Sequence, residues 1–115
     1  MIDMSYTPDN TWLAVTLQHG VVLTLKNDLE TNKVTVALDL TSKMYYEDPS
    51  EYGIYGIAFH PNFAVNGYLY AKYSIQNRVN ALRRYTCQAG DTLTCDVNSE
   101  VELMRWPTYN PNHHG

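Results

Sequence analysis

A chain of 115 residues has room for one small domain. Its apolar fraction of 44% is that of a globular protein rather than a disordered one, and only 17% of its residues are charged. The formal net charge of −4, with no basic stripe, excludes the electrostatic footprint of a nucleic-acid or anionic-membrane partner. The longest apolar runs, such as "YGIYGIAF", fall far short of the roughly 20 residues that a spanning helix needs. After Met1, "IDMSYTPDN" has neither the basic start nor the apolar core of a signal peptide. Either the protein is cytoplasmic, or this sequence begins inside a longer precursor and the setting is extracellular or periplasmic; the second is the expectation.

The hydrophobic period along the chain is two. Breakers divide it into strands expected near Ile2 to Tyr6, Trp12 to Gln18, Val21 to Lys26 and Val34 to Asp39, joined by the tight "QHG" turn and the longer "KNDLETN". In the second of these, Leu13, Val15 and Leu17 alternate with Trp12, Ala14 and Thr16. The connection from Asp39 to Gly53 has room for one helical turn at most. Further strands are expected near Ile54 to Phe59, Tyr68 to Ser74, Val79 to Thr86 and Val101 to Trp106. No segment offers a clean helical period, so the expected fold class is all-β.

Cys87 and Cys95 flank "QAGDTLT", a turn-rich stretch able to bring two strand ends together. A disulfide there fits a secreted protein, and two unpaired thiols are the alternative that two cysteines leave open. The acids of "DTLTCDVNSE" lack the spacing and central glycine of an EF-hand loop, and the segment reads as a solvated loop. The chain has no Asn-x-Ser/Thr glycosylation acceptor.

An internal repeat organises these pieces. "MSYTPDNTWLAVTLQ" and "IAFHPNFAVNGYLYAKYS" share one plan: a short strand ending in an aromatic, one polar residue, proline, Asp or Asn, then a second alternating strand. Pro8 and Pro61 stand 53 residues apart, and four strands per repeat near that spacing is the pattern of β-propeller blades. The expected organisation is a first blade over about 1–40, a connecting loop over 41–52, a second blade over about 53–108 and the start of a further blade at 109–115. Two blades leave faces uncovered. The sequence is therefore expected to be a piece of a longer propeller, covered by the remaining blades or by self-association.

The run "EYGIYGIAFHPNFAVNGYLYAKYS" resembles the most recurrent segment of the quinoprotein glucose/sorbosone dehydrogenase family, E-x-G-L-L-G-x-A-F-H-P-x-F-x-x-N-G-x-x-Y-x-x-Y. Glu51, Gly53, Gly56, Ala58, Phe59, His60, Pro61, Phe63, Asn66, Gly67, Tyr70 and Tyr73 match, while Ile54 and Tyr55 stand where the family usually has leucines. The resemblance continues through "RVNALRRYTC" and "SEVELM" to "NPNHHG", similar to the family's Asn-His-Asn-Gly-Gly. It implies two four-stranded antiparallel blades of a six-bladed β-propeller. It also implies oxidation of an aldose or related sugar, with pyrroloquinoline quinone (PQQ), calcium and an external electron acceptor. The related Hedgehog-interacting family is similar in fold and implies the rival function, a non-catalytic propeller that binds protein or glycan. An inactive truncated fragment is a further alternative. Under either, this chain alone is expected to lack dehydrogenase activity, with most cofactor-binding residues outside it.

On this resemblance His113 occupies the position of the catalytic base, a neutral imidazole that takes the sugar hydroxyl proton. Asn112 stands where the glucose enzymes carry Asp; an amide orients an imidazole but does not raise its pKa as a carboxylate would. Glu51 matches a position that faces the cofactor, usually Gln. Against a tricarboxylate it is electrostatically awkward, and bracing the "EDPSEYG" loop is an equal reading. His113 and His114 point to opposite sides of an extended chain, so no metal site is expected of them. His60, before Pro61 at a strand end, is expected to fix a turn, as is His19 in "QHG". The 10 tyrosines are expected to wedge between blades with their hydroxyls at the rim.

Overall fold

The computed structural model describes residues 2–17, 19–28, 33–44, 54–76 and 79–107. Most of them lie in two four-stranded antiparallel sheets. Sheet A is the meander β1 (Ile2–Tyr6), β2 (Trp12–Leu17), β3 (Val21–Lys26) and β4 (Thr35–Asp39). Sheet B is β5 (Ile54–Phe59), β6 (Tyr68–Gln76), β7 (Val79–Ala89) and β8 (Leu93–Pro107), with one helical turn, α1 (Phe63–Asn66), between β5 and β6. The all-β class and the strand positions follow the sequence reading, because alternation and breakers are local signals.

Two elements differ from expectation. A helical turn that the sequence reading did not place falls at "FAVN"; in the connection after Asp39 the Leu40 carbonyl accepts from the Lys43 and Met44 N–H groups, a single turn as expected, and residues 45–53 lie outside the described residues. The "FAVN" turn buries Phe63 against Phe59, ring centroids 4.8 Å apart, and is closed by Gly67. The segment "DTLTCDVNSE" is not a solvated loop: from Leu93 onward it is the first half of β8. Cys87 and Cys95 are bonded to each other and sit directly opposite in the β7–β8 register. Leu93 is fully buried, with Cys95 and Val97 packed on the core, while Thr94, Asp96 and Asn98 face water. That alternation is the strand signal that the acids obscure.

The sheets stack face to face. β1 and β2 lie against β5, and β4 with β3 lies against β8. The buried face of sheet A carries Trp12, Ala14, Val22 and Leu38; that of sheet B carries Leu69, Ala71, Tyr73, Tyr85 and Leu93. The Thr24 hydroxyl donates to the Leu93 carbonyl at 2.7 Å, joining the sheets through a buried bond.

The opposite face of sheet A is also apolar. Met4, Leu13, Val15 and Leu17 share it with Val21, Leu23, Leu25 and Val36, by the registers Met4↔Val15↔Leu23↔Val36 and Leu13↔Leu25. None of these is buried, and Met4 and Val36 are 64% and 57% exposed. A free-standing two-sheet sandwich has polar residues on its outer faces. Sheet A does not.

Candidate functional site

The two proline turns converge at one end of the stack. Pro8 ends β1 because it has no ladder donor. Its turn is closed by Asn10 N–H to the Thr7 carbonyl at 2.8 Å and Thr7 N–H to the Trp12 carbonyl at 3.0 Å. The Asp9 carboxylate accepts from the Thr11 N–H and the Thr7 hydroxyl, both at 3.0 Å, and those bonds lower its pKa.

In the second turn the His60 N–H donates to the Tyr68 carbonyl at 3.0 Å, and its Nδ1 accepts from the Asn62 N–H at 2.9 Å. An Nδ1 so engaged leaves the neutral ring's proton on Nε2. His60 thus fixes a turn. Gly67 follows α1 at φ 69°, and its carbonyl accepts from the Cys87 N–H at 2.7 Å. An added Cβ at Gly67 would run into the Cys87 carbonyl oxygen, so a glycine is required on both counts.

Between these turns and the disulfide end of β7 lies a cleft of about 640 Å³, within the range of small-ligand sites. Thr7, Asp9, Asn66, Thr86 and Gln88 bring polar groups to it, over a floor of Trp12 and Phe63. Among the described residues its lining has no cationic side chain and one carboxylate, so it does not fit an anionic quinone cofactor.

A second constellation lies on the buried face of sheet B. The Tyr73 and Tyr85 hydroxyls are 2.7 Å apart. Tyr85 donates to Glu100 Oε1 at 2.8 Å, and Arg83 Nη1 donates to the Tyr73 oxygen at 2.9 Å. One proton order satisfies all three: Arg83 to Tyr73, Tyr73 to Tyr85, Tyr85 to Glu100. Glu100 also pairs with Lys43 at 3.5 Å, and Glu102 holds Arg83 and Arg105, each at 2.9 Å.

Burial pushes both phenols above the usual tyrosine range. Burial works against the Arg83 charge, but hydrogen bonds to Tyr73 and Glu102 hold its pKa above the ordinary value. Hydrogen bonds from Arg105 and then Arg83 lower the Glu102 carboxyl. Phenols held this way are neither acids nor bases near neutral pH. Through Lys43, which follows β4, the cluster ties sheet A to β8.

These two tyrosine hydroxyls end inside a buried network rather than at a rim. Tyr68 and Tyr70 lie on the other face of sheet B, where the Arg84 guanidinium carbon sits 4.1 Å from the Tyr68 ring centre. The signal for the network was present as alternation, since Tyr73 shares the parity of Leu69 and Ala71. Its partner Glu100 depends on two register shifts in β7–β8 that periodicity does not display.

Glu51, Asn112 and His113 lie outside the described residues, as does His114. The described strand ends that lead to them are informative. Ile54, which follows Glu51 in sequence, pairs with Tyr73, and Pro107, which precedes Asn112, pairs with Val79. Both belong to the end of sheet B opposite the cleft. Among the described residues no group of His, Cys, Asp or Glu gathers in metal-binding geometry, and no helix is long and apolar enough to cross a membrane. No protein-family model matches the chain, and no curated protein matches it significantly.

Proposed function

We propose that the chain forms two adjoining blades of a six-bladed propeller similar to the quinoprotein glucose/sorbosone dehydrogenases. The complete propeller oxidises a sugar, with His113 as the base that takes the hydroxyl proton. The observation that carries the propeller reading is the apolar outer face of sheet A. Alignment of the repeats sets Leu13, Val15 and Leu17 at the positions of Leu69, Ala71 and Tyr73, which are buried against sheet A. Trp12, Ala14 and Thr16 likewise align with Tyr68, Tyr70 and Lys72, so each sheet offers one face of each kind. This pattern supports stacking by repetition, as in a propeller, over the closed pairing of a sandwich.

The sugar chemistry rests on the sequence motifs, and chain reach supports it. Ile54 and Pro107 stand on the outer strands of one four-stranded sheet, about 15 Å apart by strand spacing. Three residues back to Glu51 and six on to His113 reach about 10 and 20 Å, enough for the two to meet. His113 would accept the proton of the sugar hydroxyl as hydride leaves the same carbon, with Asn112 orienting the ring and Glu51 beside the cofactor. PQQ, with calcium, supplies the hydride acceptor in this family; the cleft between the proline turns does not fit it, and most of the residues that would hold it belong to the rest of the propeller. The disulfide favours an extracellular or periplasmic setting, where such bonds persist.

The test is dye-linked oxidation of an aldose panel with PQQ and calcium, using a protein in which this sequence is joined to four further blades. Turnover is expected there and none from the 115-residue chain. Loss of roughly 100-fold or more in kcat for His113→Ala is expected of a general base. Unchanged kcat in that variant removes His113 as the base, whereas no turnover with any aldose refutes the sugar reading and favours the binding propeller.

A further inference from the structure

The outer face of sheet A is the counterpart of the sheet B face that already packs on Trp12, Ala14 and Val22. The outer face of sheet B carries Tyr68 and Tyr70, counterparts of Trp12 and Ala14, with Ala58 and Arg84 in register with Tyr70. Leu82 and Met104 extend it toward the β8 edge, Met104 being 57% exposed. The Arg84 guanidinium carbon sits over the Tyr68 ring, 4.1 Å from its centre, so its charge is held against an aromatic surface that a sheet can pack against.

We propose that copies of this 115-residue chain associate through these faces, the outer face of sheet A in one copy covering the outer face of sheet B in the next. The contact continues the interface already present inside each copy. It is heterologous, because the two surfaces differ, so it propagates beyond a dimer until a ring closes. Pairing of sheet A with sheet A is disfavoured, since neither copy then presents the Trp12-type face that the Leu13-type face meets within the chain. The inference rests on the stacking half of the reading above and is independent of the sugar chemistry.

Sedimentation of the chain over a concentration series tests it, with two variants at exposed positions that leave the core alone. Met4→Lys/Val36→Lys blocks the sheet A face; Ala58→Arg/Met104→Lys blocks the sheet B face. Wild type is expected to form assemblies larger than a dimer, and each variant alone to be monomeric. A mixture of the two variants is expected to give a one-to-one dimer, because one intact face of each kind remains. Unfolding midpoints close to wild type, taken at concentrations where all three are monomeric, establish that the variants fold; a variant that fails is replaced by its single substitution. A monomeric wild type at every concentration overturns the inference while leaving the propeller reading standing. A sheet B variant that still dimerises by itself shows A-on-A pairing, and overturns both the inference and the repeated stacking. Neither result bears on aldose oxidation.

Discussion

Removing one hydroxyl from the Tyr73–Tyr85 pair tests whether the buried network is a single connected chain. In Tyr85→Phe the bond to Glu100 is lost, a neutral donor to a carboxylate, worth about 1.5–3 kcal/mol. The Tyr73 hydroxyl is 3.4 Å from the same Glu100 oxygen and can turn its proton there, so the cost is expected at the lower end, about 1.5 kcal/mol. In Tyr73→Phe the Tyr85–Glu100 bond survives, but Arg83 Nη1 loses its nearer acceptor and Tyr85 its neighbour, for about 2 kcal/mol.

The double variant strands no hydroxyl, and Arg83 Nη1 already lies 3.4 Å from Glu100. Its cost is expected to fall short of the sum of the singles by about 1 kcal/mol, as coupled neighbours do. Urea unfolding with the disulfide intact measures all four proteins, and equal m values establish that the denatured states are comparable. Additivity within about 0.5 kcal/mol would mean that the hydroxyls act independently, and the proton order derived above would fall.

Gly67→Ala is expected to destabilise by about 2 kcal/mol or more, from left-handed backbone strain together with the clash at the Cys87 carbonyl. Gly67→Asn relieves the strain but not the clash, so near-wild-type stability in Asn would refute the steric part. On the alkaline side, both phenols are raised above 10.0, so the folded state keeps protons that unfolded tyrosines lose. Their contribution is therefore fully present below pH 10 and is lost as pH rises above it. The urea midpoint should fall over that range, less steeply in the double phenylalanine variant, and identical slopes would count against burial of the phenols.

Much of this protein was legible in its sequence because the signals are local. Alternation placed the strands, and Pro8 and Pro61 placed their ends; His60 before proline was rightly read as a turn residue. The "LTCDVNS" half of β8 was missed because the acids in and around it, Asp91, Asp96 and Glu100, look like a loop, while its apolar positions gain meaning only when Cys87 and Cys95 face each other across a hairpin. The disulfide itself stayed open for the same reason: two cysteines do not specify a register, and a ladder does.

For the candidate site, sequence alone singled out Glu51, Asn112 and His113, and the tertiary structure adds that the strands leading to them share one end of sheet B. It alone revealed the cleft between the proline turns, because the 53-residue spacing gives their kinship but not their convergence. It alone decided which apolar face of each sheet is buried. Periodicity of two says which residues travel together, Leu13 with Val15, or Tyr73 with Ala71, and leaves both faces equal until another sheet covers one. Burial is a property of the pair of sheets, so it enters only when the chain has folded back on itself.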